Sequence, residues 1–532
     1  MSASRKAWLR LYRHYLRLLR NSTIAWTLAL AGIGAAVIAT FEDRYTTEAE
    51  LQALAQLEGI PAFEALVGPY SQIATVEGFT LSRWGMFAIL VAVWGMRAAG
   101  RLLRSAEEAG HIEPLRAGAI TPHGLLSAAV TAMLTVFAAF GIAIGLSHSA
   151  LGMDTATSWA LGAAMALMAA AFAALAALAS QVFASSRQAI ATVGTVLGIT
   201  LGMRVIAAAS GTPEWLWWVT PFGWTGFLHE ADEAQLIVVA AFAAITTALL
   251  AGAFALAKRD LHGGVITARE GAADRVRPVK SAAGLAARIT ARAAVIWGAV
   301  ITIVSIVFAM IAHDFADAAT AMPTTVEVAA QAGWGRIDSL EGILGFTFAL
   351  FIAPLLAVFA AGQAASIREE EASWRIEHLL VRPIGRTRWL LTRTAIAAAA
   401  TVSVAIVAGL AAWAGTAVTG TPITLADALR GALNIVPVSL LFLGLGLALF
   451  GLVPRLTASL TLGLVVASYL LDFVGGYLDL PEAVLDASPF RHIASAPGAD
   501  IELAAAVVML AIGLAGIAVG AIAFRRRDLQ EA

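Results

Sequence analysis

Glu107-Glu108-Ala109-Gly110-His111-Ile112-Glu113-Pro114-Leu115 and Glu370-Glu371-Ala372-Ser373-Trp374-Arg375-Ile376-Glu377-His378-Leu379 decide how the chain is laid out. Ile112-Glu113 and Ile376-Glu377 align at an offset of 264. Both stretches run on, through Ile120-Thr121-Pro122 or Pro383-Ile384-Gly385, into a long apolar run. Charge this dense does not cross lipid. Each stretch therefore belongs at a membrane surface or on a partner, between the second and third apolar runs of its half.

The rest of the chain is built to sit in that membrane. It has 532 residues, is 59% hydrophobic and only 13% charged, about half the charge of a soluble domain. Mean hydropathy is +0.80. The apolar runs have the length of spanning helices rather than of barrel strands. The fold class is thus an all-α polytopic membrane protein in the cell (plasma) membrane. Net charge is −1, which offers nothing to nucleic acid. Cysteine is absent, excluding disulfides and thiolate metal sites. The histidines are scattered, so no metal site is expected. No cleavable signal peptide is expected either: the basic N-terminal region is long and the following run has full spanning length.

Twelve spans are expected, near 22–41, 79–99, 122–147, 158–183, 189–209 and 235–257, then 292–313, 341–365, 388–415, 428–452, 456–475 and 500–523. Lys and Arg crowd the N-terminus, 97–116, 258–292, 368–393 and 525–527, while the alternate loops are mainly acidic. The positive-inside bias therefore puts both termini in the cytoplasm. Six spans return the chain to the same side, so the halves read as tandem pseudo-symmetric repeats. Glu77-Gly78 matches Glu341-Gly342 at 264; Pro213-Glu214 matches Pro481-Glu482, Pro221-Phe222 matches Pro489-Phe490, and Arg259-Asp260-Leu261 matches Arg527-Asp528-Leu529, all at 268. The domains expected are a surface helix over 1–21, a first half over 22–261, a cytoplasmic linker over 262–291 and a second half over 292–532.

In residues 5–20 Trp8, Leu11, Tyr12, Tyr15, Leu16 and Leu19 share one helical face and Lys6, Arg10, Arg13, Arg17 and Arg20 another. This spacing predicts an amphipathic helix lying in the interface, basic face toward anionic headgroups. A charge cluster that merely sets topology is the other reading.

Enzyme motifs are missing. No Gly-Lys-Ser/Thr of a Walker A loop occurs, and no Rossmann fingerprint sits on a strand–helix turn. No triad or paired carboxylates present themselves. A transporter, a channel or a membrane scaffold remains.

The basic N-terminal helix, six spans, a Glu-rich segment between the second and third, and a Pro-bearing outer segment before the sixth resemble an ABC-2 type exporter permease. Glu371, Glu377 and Leu379, followed by Arg382-Pro383-Ile384 and Arg386-Thr387-Arg388-Trp389-Leu390, look like that family's coupling region. The first copy departs from it, with Gly118-Ala119-Ile120 and Pro122-His123-Gly124. Two fused halves in an Ala-rich chain look most like the actinobacterial polyketide-antibiotic (tetronasin-type) exporters. The resemblance implies a permease without ATPase motifs of its own. It would pair with two copies of a separately encoded ABC ATPase, which carry the ATP and Mg, and move hydrophobic or amphipathic compounds such as antibiotics out of the cell. Coupling to the ATPase would fall on Glu107, Glu108, His111, Glu113, Glu370, Glu371, Glu377 and Arg382. A proton-coupled secondary drug transporter is the alternative, since twelve spans in parallel halves suit it too. Such transporters usually need ionisable groups deep in the spans, where carboxylates are scarce here.

Three further sets of residues stand out. The segment holding Trp217, Trp218, Pro221, Phe222 and Trp224, with Pro489 and Phe490 in the second copy, is read as an outer gate or as an interfacial aromatic belt. Gly194, Gly198 and Gly202 present a small-residue face for helix packing, or reflect ordinary glycine abundance. Arg204 and Asp472 occupy equivalent positions at offset 268, so an intramembrane charge pair is one expectation and snorkelling of Arg204 the other.

Overall fold

The computed structural model describes residues 3–56, 58–59, 63–64, 67–116, 120–208, 213–229, 232–258, 264–265, 281–320, 326, 338–373, 376–377, 381, 385–420, 423–475 and 481–528. Among them there are helices and no β-strand. The chain divides into two compact units, Met1–Arg275 and Val276–Ala532. The division falls inside the stretch read as a linker.

The first unit holds α1 (Ala3–Arg44), α2 (Val76–Leu102), α3 (Pro122–Ala150), α4 (Thr155–Val182), α5 (Ser186–Ala207) and α6 (Asp232–Ala255). Side-chain caps set the starts of α2 to α5. Thr75, Thr121, Asp154 and Ser185 each accept from the amide three residues on, satisfying a donor that the helix itself leaves open. Helix α4 is the centre. Its alanines between Ala169 and Ala177 are buried and let neighbours approach at backbone distance. A Cβ on Gly141 would lie 2.5 Å from the Gly162 carbonyl, and one on Gly95 2.1 Å from the Ala169 carbonyl. In α1, Leu11, Tyr15, Leu19, Leu30, Ile38 and Phe41 form the buried stripe.

The second unit holds α7 (Ala282–Thr320), α8 (Leu340–Ala372), α9 (Arg386–Val418), α10 (Leu425–Leu452), α11 (Thr457–Gly475) and α12 (Leu503–Arg526). Ser339 caps α8 by accepting from the Gly342 amide at 3.1 Å. A π turn over Phe348–Ile352 leads into Pro354, whose missing N–H and bulky ring disturb the preceding turn. In α10 a break at Ile435 precedes Pro437, and the Asn434 side chain donates to the Ala494 carbonyl at 2.7 Å. Helices α10 and α12 meet along glycines. A Cβ on Gly444 would lie 2.1 Å from the Gly513 carbonyl, and one on Gly520 2.2 Å from the Leu447 carbonyl.

Among the described residues eleven helices are long and apolar enough to span a membrane, and their outward faces carry Leu236, Val295 and Leu503, each over 70% exposed. Apolar exposure on this scale belongs in lipid, not water. The chain is a multi-pass membrane protein. Twelve spans were expected, and a helix stands at each expected place, α5 at the fifth; among the described residues all but α5 are long and apolar enough to count. One expectation changes. The basic N-terminus was expected as a separate surface helix over 1–21. Instead residues 3–44 form one helix, about 63 Å long against a hydrocarbon core of about 30 Å. No Pro or Gly falls between Arg17 and Trp26 to break it. Trp8 donates to Ser127 at 2.9 Å, holding this end on α3, while Arg10, Arg13, Arg17 and Arg20 stay exposed.

Candidate coupling and aromatic segments

Helix α2 ends at Leu102, and a short helix, Arg104–Glu108, turns away from it. Arg104 and Glu107 are both buried and paired at 3.1 Å. Glu108 is exposed, yet its carboxylate accepts from the Ser186 amide at 2.7 Å and from the Ser186 hydroxyl. A carboxylate there complements the positive end of α5. The chain then turns at Gly110, which takes φ of 73°, a conformation that only glycine adopts without strain. His111 and Glu113 project outward.

The second Glu-rich segment turns inward more. Glu370 and Glu371 lie in the last turn of α8, and Glu371 is 1% exposed. Arg393 of α9 reaches Glu370 from Nε at 2.9 Å and Nη2 at 2.7 Å, and donates from Nη1 to Thr290 of α7 at 2.8 Å. Glu371 receives Arg368 at 3.1 Å and both terminal nitrogens of Arg527, at 2.5 and 2.8 Å. Arg527 also donates to the Phe450 carbonyl at 3.1 Å and lies over the Phe450 and Phe524 rings. Its own carbonyl accepts from Arg386 at 2.7 Å. Five helices converge on these two carboxylates. Glu377 is exposed. Arg382 lies outside the described residues.

The aromatic segment is folded and packed. A 3-10 turn, Glu214–Val219, passes into a short helix, Pro221–Trp224. The Thr220 hydroxyl donates to the Thr200 carbonyl of α5 at 2.7 Å and accepts from the Phe222 amide at 3.3 Å. Phe222 is wholly buried, near Phe172 of α4; Trp224 packs on Phe242 of α6 and donates to the Trp218 carbonyl at 2.8 Å. Trp217 is buried, Pro221 half-buried, and Trp218 stacks on Phe227 at 4.5 Å while remaining 38% exposed. Below the segment, Tyr70 donates to Thr225 at 3.1 Å. Burial pushes the Tyr70 phenol up to about 12, against the opposing pull of the Thr225 bond and of Arg204. The second unit has the same joint. Ser488 donates to the Ser468 carbonyl of α11 at 2.8 Å and accepts from the Phe490 amide at 3.2 Å; Phe490 stacks on Phe442 and meets Tyr469 edge-on, with Pro489 half-buried beside it.

Trp218 can be removed more cheaply than its neighbours. Trp218→Ala loses one aromatic pair, about 0.5–1.5 kcal/mol beyond the area it buries. A thermal unfolding curve of the purified protein in detergent should move by no more than a few degrees, with the protein still monodisperse.

Arg204 is buried in its own unit and donates to the Gly85 carbonyl of α2 at 3.0 Å. Asp472 is half-buried near the end of α11, where Arg491 and His492 are its charged neighbours. The two residues belong to different units. Among the described residues no atom lies within 4 Å of a Cβ built on Gly194, Gly198 or Gly202. Close glycine contacts occur instead between α2 and α4, α3 and α4, and α10 and α12. Sequence reasoning also missed Arg393 and Arg527 as partners of the glutamates. Arg393 gave a signal, since an arginine inside an apolar run needs a partner. His148 is buried in α3 and accepts from Trp84 Nε1 at 2.9 Å at its Nε2. Nδ1 then carries the proton and donates to the Ile144 carbonyl at 3.0 Å, a neutral histidine used as a structural link.

Among the described residues no cluster of His, Asp and Glu could hold a metal. A family model described as Multidrug efflux system permease Rv1217c, C-terminal domain, matches residues 14–256 and 279–525. The multidrug efflux system permease protein Rv1217c of Mycobacterium tuberculosis (strain ATCC 25618 / H37Rv) is 30% identical over 531 residues, covering 98% of this chain and 95% of that one. The two matched stretches fall one in each half of the chain and together exceed half its length, so the chain belongs to the Rv1217c multidrug efflux permease family.

Proposed function

We propose that this permease is the membrane subunit of an ATP-driven ABC-2 type exporter, similar in kind to the tetronasin-type antibiotic exporters. It works with two copies of a separately encoded ABC ATPase that supply ATP and Mg, and it moves hydrophobic or amphipathic drugs out of the cell. The family membership supports drug export. The observation that carries the ATPase reading is the pair of Glu-rich turns, each seated against its own helix bundle with polar side chains exposed: His111 and Glu113 in one, Glu377 in the other. A motor that binds ATP in one of two states can bias the permease only through such a contact.

In this reading the halves are tandem repeats and both termini are cytoplasmic. Matching contacts at the sequence offsets favour the repeat. Arg104–Glu107 recurs as Arg368–Glu371, both at 3.1 Å. The Thr75 cap recurs as Ser339. Thr220–Thr200 recurs as Ser488–Ser468. The proton-coupled alternative draws little support. His148 is fixed as a neutral link, and Glu77, Glu341, Glu370 and Glu371 stand in the first or last turns of their helices.

The deciding experiment is co-purification with the ATPase, followed by transport in vesicles. Drug uptake into inside-out vesicles should require ATP and persist with a protonophore; uptake that follows an imposed pH gradient without ATP would remove the reading. Within it, Glu377→Lys is expected to weaken recovery of the ATPase about tenfold, the effect of about 1.4 kcal/mol at a docking contact. Because Glu377 is exposed, the thermal midpoint of the variant should match the parent.

A further inference from the structure

Helix α5 is gripped at both ends. At its start, Glu108 holds the Ser186 amide at 2.7 Å and the Ser186 hydroxyl, and Arg104 donates from Nε to the Ala184 carbonyl at 3.1 Å and again from Nη2. These contacts tie the first Glu-rich segment to the beginning of the helix. Toward its other end, the Thr200 carbonyl takes the Thr220 hydroxyl at 2.7 Å, and Thr220 caps the short helix carrying Phe222 and Trp224. Ser186 to Thr200 spans about 21 Å of continuous helix, which moves as a rod because bending it would break its backbone hydrogen bonds. Among the described residues, Gly194, Gly198 and Gly202 have no neighbour within 4 Å of their Cβ positions, and Ile199 is 53% exposed.

The second half keeps the far grip, Ser488 on the Ser468 carbonyl. At the Glu108 position, 264 residues on, it has Ala372, whose methyl group accepts nothing. Its glutamates turn elsewhere, Glu370 to Arg393 of α9 and Glu371 to Arg527 beyond α12.

We propose that α5 is the transmission element of the first half. Glu108 and Arg104 act as positioning residues that pass a displacement of the Glu-rich segment along the helix to the Thr220–Trp224 segment, while the second Glu-rich segment is locked to its own bundle. What displaces the segment rests on the exporter reading; the mechanical link does not, and its test uses neither ATP nor a partner.

The chain has no cysteine, so single thiols report cleanly. Val219 is 42% exposed beside Thr220, and Val484 is 44% exposed in the second half. Val219→Cys and Val484→Cys are each placed in the full-length protein in lipid vesicles and labelled with a maleimide. Adding Glu108→Ala is expected to change the labelling rate at the Val219→Cys site by about two- to fivefold, the worth of one carboxylate at a helix N-terminus. Glu108→Gln, which keeps an oxygen to accept from Ser186, should give a smaller change in the same direction. The Val484→Cys rate should hold. An unchanged rate at the Val219→Cys site would overturn the proposal, and so would an equal change at both sites, since that reports general loosening.

Discussion

Glu371→Ala should leave a protein that inserts but does not stay folded when solubilised. The substitution removes the acceptor of Arg368 and of both terminal nitrogens of Arg527, at a site where the side chain is almost wholly enclosed. Removing one partner of a buried pair costs about 3–5 kcal/mol, because the remaining charge is stranded. A large part of the monodisperse peak in detergent size exclusion should be lost, and the thermal midpoint of the remainder should fall by ten degrees or so, at a few degrees per kcal/mol. Arg527→Ala alone should also be severe. The double variant Glu371→Ala, Arg527→Ala should cost clearly less than the sum. Full additivity would mean that the two side chains do not interact.

Gly444→Ala and Gly198→Ala should move stability in opposite directions. At Gly444 a methyl group would lie 2.1 Å from the Gly513 carbonyl and 2.6 Å from the Gly513 Cα. Backbone has to move, so α10 and α12 separate, at a cost of about 1–3 kcal/mol; Gly444→Leu should prevent their docking altogether. At Gly198 there is open space. Alanine there costs no contact and relieves the entropic penalty of glycine in a helix, about 0.5–1 kcal/mol. Thermal midpoints of the two variants, measured side by side, check the claim. A lower midpoint for Gly198→Ala would show that a surface does press on that stripe.

This contrast shows what the sequence could and could not say. Apolar length alone announced the membrane and most of the helices, because lipid leaves the backbone few alternatives. Spacing placed Gly194, Gly198 and Gly202 on one face, and that much holds. Periodicity does not say which helix comes to which face, and Gly444 with Gly513 and Gly516 carried no stronger local signal. The same limit applied to the glutamates. Charge density singled out Glu370 and Glu371, which lie in the last turn of α8, but their partners, Arg393 and Arg527, are 23 and 156 residues away in sequence. Only the offset that paired Arg259 with Arg527 hinted that the second arginine had a place to fill. For α1 the basic stripe was legible, and its exposure follows from it. The missing break was not legible: Asn21, Ser22 and Thr23 are poor helix formers that favour a cap, yet the helix runs through them. For Glu108, nothing local distinguishes a carboxylate that caps a helix 78 residues later from one that points at solvent.

The Arg527 cluster also bears on the order in which the protein can be made. The glutamate it neutralises is 156 residues upstream and enters the bundle four spans earlier. Until α12 has left the ribosome and crossed, Glu371 has Arg368 for company but lacks the bidentate partner, and the α10 glycines have no helix to meet. The second half therefore completes its electrostatics and its packing in one late event. A nascent chain stalled before that point exposes a charged turn and a glycine groove together.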